Sequence, residues 1–221
     1  GDGAASRSTP ADPWTTVGLE IAVAAMCAPD EPVTARRVAR EIGRSVGATH
    51  ELIGRFIEVG LVGPKTRRPL LPELFDETAA RWPDDGWTHL STSLAELAAR
   101  LGAEELVRVD ERAATLGGAQ IAAVGDLPAR CYVRSAAALR RARAATAGER
   151  SEGGGPGDES ERTWVRVAPV RWLPLNDEHP PDAEHLWLVA HPIVCALRLA
   201  ADPARGREIV DAWGIVPGGR R

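Results

Sequence analysis

Eight basic side chains crowd into residues 33–68: Arg36, Arg37, Arg40, Arg44, Arg55, Lys65, Arg67 and Arg68. Only Glu41, Glu51 and Glu58 oppose them, so this window carries +5; the whole chain carries −4, and everything outside the window sums to −9. Guanidinium and ammonium groups at this density donate charge-assisted hydrogen bonds to phosphate oxygens, and a guanidinium can also bridge O6 and N7 of guanine. One basic element on an acidic chain is an electrostatic footprint for a polyanion rather than a generally adhesive surface. The 27 basic residues comprise Lys65 and 26 arginines. With abundant alanine and glycine, that usage has the codon bias of a GC-rich bacterial genome, so an arginine where lysine would serve carries less weight.

Other residue groups offer less chemistry. His179, His185 and His191 straddle a strand-to-helix transition without the i, i+4 spacing or cysteine partner of a metal site. Asp110, Glu111 and Asp126 fall at a helix cap and a turn, where acids belong for structural reasons. Cys27, Cys131 and Cys195 are odd in number and far apart, which suits small buried thiols in a reducing cytoplasm and neither a disulfide framework nor paired metal ligands. There is no P-loop, GxSxG or GxGxxG, and GGGPG at 153–157 lacks the flanking strand and helix of a phosphate loop. No catalytic residue, metal or cofactor is expected. Arg134, Arg140, Arg141 and Arg143 form a second basic cluster, read as a solvated helix face or as an auxiliary patch.

The elements that must position the basic residues follow from caps and periodicity. Residues 1–13 are small and polar and are expected to be a disordered tail. Trp14 to Cys27 reads as a first helix. Thr34 is an expected N-cap, Val38 and Ile42 face inward at i, i+4, and Gly43 stops a second, short helix. Ser45 caps a third helix reaching Val59, with Val46, Ile53, Phe56 and Ile57 as its buried stripe. Leu61-Val62 and Leu70-Leu71 are strand-like, flanking a basic loop at 63–69. Helix, short helix, turn, helix, strand and basic loop is the order of a winged helix-turn-helix, predicted over residues 14–72.

In that arrangement the third helix presents Arg44, Gly47, Ala48, Glu51, Arg55 and Glu58 outward, with Thr49 and His50 at the margin. Arg44 and Arg55 could hold phosphates or a guanine edge, Ser45 sits at the cap, and small Gly47 and Ala48 would admit a groove closely. Lys65, Thr66, Arg67 and Arg68 in the loop are expected on phosphate or in the minor groove. Arg36, Arg37 and Arg40 lie on the helix that would cross the DNA backbone. The bland alternative for each is a solvated charged face, and Glu51 supports it.

Residues 73–221 read as a compact mixed α+β domain. Helices are expected at 71–82, 91–102 (capped by Ser91 or Ser93), 110–117, 135–145, 192–201 and 205–213. Strands are expected at Gln120–Val124, Arg130–Val133, Trp164–Trp172 and Leu186–Ala190. Residues 147–161 are low-complexity and read as a flexible loop. Of the seven tryptophans, Trp164, Trp172 and Trp187 are expected in this second core. The 44% hydrophobic content is ordinary for a soluble protein. No apolar run approaches the roughly 18–20 residues of a membrane span.

Three segments, RPLLPELFDETAARW, DERAATLGGAQIAAVGDLPARCYV and HPIVCALRLAADPARGREIVDAW, occur in an order that resembles the AbiE-type antitoxins of type IV toxin–antitoxin systems from actinobacteria. The resemblance covers about residues 14–213. It implies an N-terminal winged helix that represses its own operon and a C-terminal domain that counters a nucleotidyltransferase toxin, with helix 45–59 and loop 63–69 on DNA. The expected function is therefore sequence-specific binding of double-stranded DNA and transcriptional repression in the cytoplasm, with the C-terminal domain contacting a second copy on DNA or another protein. Two rivals stand beside it: a winged-helix protein–protein interaction module, and an enzyme of nucleotidyl or phosphoryl transfer in the C-terminal domain.

Overall fold

The computed structural model describes residues 12–121, 127–147, 162–179, 187–202 and 205–216. The chain is α+β and divides into two compact units between Leu70 and Leu71. The expected tail at 1–13 and loop at 147–161 lie almost wholly outside the described residues, as do Asp126 and His185.

Three helices build the first unit: α1 (Thr16–Cys27), α2 (Ala35–Ile42) and α3 (Val46–Glu58). α1 is apolar and is buried continuously from Gly18 to Met26, as befits a helix with no solvated face. Its start fits only a glycine, since a Cβ at Gly18 would stand 1.8 Å from the Pro13 carbonyl oxygen. Thr34 stands at the N-cap of α2 without a side-chain bond, and Gly43 ends the helix at φ 66°. Ser45 accepts the Ala48 amide at 3.3 Å and so caps α3.

The buried side of α3 differs from the expected stripe. Thr49, Leu52, Ile53 and Phe56 are buried, Ile57 is half-buried, and Val46 is exposed. Thr49 can lie inside because its hydroxyl donates to the Ser45 carbonyl at 2.9 Å, leaving no buried polar atom unserved. Val46, the first residue of the helix, is exposed at its open end.

After Gly60, at φ 76°, the chain folds back as a tight hairpin. The expected strands at Leu61-Val62 and Leu70-Leu71 shrink to one antiparallel bridge, Val62 to Pro69, because the turn begins at once. The Gly63 amide donates to the Arg68 carbonyl and the Arg67 amide to the Gly63 carbonyl, both at 2.8 Å. The Val33 amide donates to the Arg67 carbonyl at 2.7 Å and moors the tip.

The second unit carries one five-stranded mixed sheet, ordered β1 (Thr88–Leu90), β4 (Thr163–Val167), β3 (Ala129–Val133), β2 (Leu106–Arg108), β5 (Leu188–Val189). β1–β4 and β3–β2 are antiparallel; β4–β3 and β2–β5 are parallel. α5 (Leu94–Leu101) packs on α7 (Ala136–Ala147), and α7 on β3 and β4. α4 (Glu73–Ala79) and α6 (Glu111–Leu116) pack on α8 (Pro192–Ala200), which lies against α9 (Gly206–Trp213). Explicit caps set several boundaries: Ser93 and Glu96 make a capping box for α5, Asp110 caps α6, and Pro192 opens α8.

Several expectations shift here. Gln120 and Ile121 are in no strand, and the rest of that predicted strand is outside the described residues. The strand expected at Trp164–Trp172 stops at Val167. Trp187 and Trp82 are buried, whereas Trp164 and Trp172 are half-buried. No helix among the described residues is long and apolar enough to cross a membrane.

Candidate nucleic-acid interface

The basic residues of the first unit separate into two sets by what they touch. Arg44 directs Nε and Nη2 at the two oxygens of Glu20, at 2.8 and 2.9 Å. Glu20 is fully buried in α1. Its hydrogen bonds push the Arg44 guanidinium pKa up, and a two-pronged pair of this kind holds the guanidinium in one orientation. Arg37 meets Glu41 at 3.2 Å, Glu31 at 3.5 Å and the Pro32 carbonyl at 3.3 Å. Arg55 pairs with Glu51 one turn earlier on α3.

Arg36, Arg40, Lys65, Arg67 and Arg68 form the second set. Their side chains make no hydrogen bond or ion pair to another described residue, and all but the half-buried Arg67 are exposed. Arg67 holds a left-handed backbone at φ 58°, uncommon for a residue with a Cβ. The moored hairpin fixes that conformation: a Cβ at Gly63 would come 2.5 Å from Thr66 Oγ1, and Thr66 Oγ1 accepts the Arg68 amide at 3.3 Å. Three cations thus ride on a turn whose backbone is determined from within.

Of the contacts expected from the sequence, Thr49 is withdrawn, because it is fully buried. Arg44 spends Nε and Nη2 on the buried Glu20 and is a weaker candidate than its charge implied. Arg37 and Arg55 are tied to carboxylates and are weaker candidates than their charge implied. Ser45, Gly47, Ala48, His50 and Thr66 are exposed. Val46 joins them, and its apolar character is what concealed it.

The second basic cluster is mostly engaged. Arg134 donates to the Glu104 carbonyl at 2.8 Å, Arg141 pairs with Glu105 at 2.8 Å, and Arg143 donates to Thr88 Oγ1 at 2.7 Å. Arg140 is exposed.

Asp110 and His191 have structural duties. Asp110 is buried and takes the Arg108 guanidinium at 2.7 and 2.9 Å, together with the amides of Arg112, Ala113 and Arg130. His191 Nδ1 accepts the Ile193 amide at 3.2 Å at the start of α8, and burial pushes its pKa down. Burial pushes the Cys27 thiol up to about 12 and those of Cys131 and Cys195 further still. Among the described residues no three histidines, cysteines or acids gather as metal ligands. No family model, curated protein or solved structure matches the chain.

Proposed function

We propose that the chain is a sequence-specific double-stranded-DNA-binding repressor whose first unit is a winged helix-turn-helix, with α3 as the recognition helix and the 63–69 hairpin as the wing. The observation that carries this reading is the sorting of charge. Internal pairing consumes Arg37, Arg44 and Arg55, yet Arg36, Arg40, Lys65, Arg67 and Arg68 have no partner among the described residues of an otherwise acidic chain. Phosphate contacts from α2 and the wing would set the register, and side chains on α3 would read bases. A bound protein would then block polymerase sterically.

The test is a titration of the full chain with duplex DNA at several salt concentrations. Affinity should fall steeply with salt, because each neutralised phosphate releases counterions. Binding that is absent, or indifferent to salt, would refute the reading.

The wider setting, an AbiE-like antitoxin whose second unit counters a nucleotidyltransferase, rests on the resemblance of the three quoted segments. Co-expression with a nucleotidyltransferase encoded beside this gene tests it: the chain should restore growth, and continued arrest would exclude the role. Exposed Val46, Val59 and Leu70 lend support to the rival protein–protein module. Unchanged affinity of the full chain for any duplex, specific or not, across salt would favour that rival.

A further inference from the structure

Val46 is the first residue of α3 and is 48% exposed, one of few large apolar side chains left in solvent. Thr49, Leu52, Ile53 and Phe56 fill the inward face of the helix, while Val46, at its first turn, leaves about half of its surface in solvent. Its exposed neighbours are Ser45, Gly47, Ala48 and His50. On the same helix Arg55 is joined to Glu51, and Arg44, just before it, is locked on Glu20. The two guanidiniums that could bridge a guanine edge from this helix are thus engaged with the protein itself. The exposed start of α3 offers a base edge the apolar Val46, Gly47 and Ala48 beside the polar Ser45 and His50.

We propose that Val46 is a specificity-determining residue that reads a thymine, its side chain meeting the 5-methyl group of a T·A pair in the major groove. The inference rests on the DNA-binding reading above. Apolar contact is the usual way a protein recognises that methyl, the single apolar group on the major-groove edge of the four base pairs. Charge complementarity favours DNA as the partner of this unit rather than a second copy of the same unit. The unpaired cations of α2, which packs on α3, and of the hairpin suit a polyanion and would repel their own like. Small Gly47 and Ala48 beside Val46 leave room for the helix end to come close.

The experiment begins with a duplex enriched by the full chain from a random pool of short duplexes. Each thymine in it is replaced in turn by uracil, which removes only the methyl group. Binding is measured for the wild type, Val46→Ala and Val46→Thr, each first shown to keep the wild-type thermal midpoint. For the wild type, one thymine-to-uracil replacement should weaken binding roughly fourfold, the value of about one buried methyl. Val46→Ala should bind the thymine duplex more weakly by a similar factor and be indifferent to that replacement; Val46→Thr should fall between. If a specific duplex is enriched but no replacement matters, or if Val46→Ala remains as sensitive as the wild type, the thymine assignment is overturned while DNA binding stands. If the pool yields no enriched duplex, sequence-specific recognition fails and the assignment fails with it.

Discussion

Arg44 places Nε and Nη2 on the two carboxylate oxygens of Glu20, joining the turn before α3 to the buried body of α1 across 24 residues of sequence. A carboxylate without solvent exposure cannot stay ionised alone. The pair anchors the turn before α3 to α1, and it removes Arg44 from the cations free to meet a polyanion.

Removing one partner should be costly. Arg44→Met removes the guanidinium that holds both oxygens of the buried Glu20, and urea denaturation should show a loss of about 3 kcal/mol. Adding Glu20→Leu should recover much of that loss, because an apolar pair of similar volume needs no desolvation. A loss under about 0.5 kcal/mol for Arg44→Met would mean that the pair is merely a surface contact.

Gly54 lies within α3, and a Cβ there would meet nothing within 4 Å. Helix propensity then acts without opposition. Gly54→Ala should stabilise the first unit by about 0.5–1 kcal/mol, read as a higher urea midpoint at unchanged slope. Destabilisation would show that the position has a steric constraint that the backbone does not reveal.

His191 supplies a pH dependence. Burial lowers its pKa below the ordinary 6.5, so the unfolded chain takes up the proton more readily than the folded one. The contribution is complete above pH 6.5 and is lost as pH falls from 6.5 through the lower folded value. His191→Asn keeps a capping acceptor at the start of α8 and should flatten the stability–pH curve in that window. An unchanged curve would mean that His191 titrates alike in both states.

Legibility in the sequence followed the range of the interactions. The helix boundaries at Gly43, Ser45 and Pro192 were readable, and Ser93 as one of two candidate caps, because caps act within a few residues. β1 and β2 were not, since three residues are too few to display alternation. Val46 fits an apolar stripe with Ile53 by spacing, yet as the first residue of α3 it is exposed, while Thr49 lies inside with its hydroxyl on the Ser45 carbonyl. The basic window was plain in the sequence. Which of its arginines were already engaged was not, because Glu20 lies in α1, far outside that window.

The hairpin cations test the central claim most directly. The affinity of the full chain for its enriched duplex is measured against salt for the wild type and for Arg67→Ala/Arg68→Ala. Each lost phosphate contact removes roughly 0.9 from the slope of log affinity against log salt, so the double variant should lose about 1.8 and bind more weakly to all sequences alike. Wild-type affinity and slope in the double variant would contradict the assignment of this hairpin to DNA.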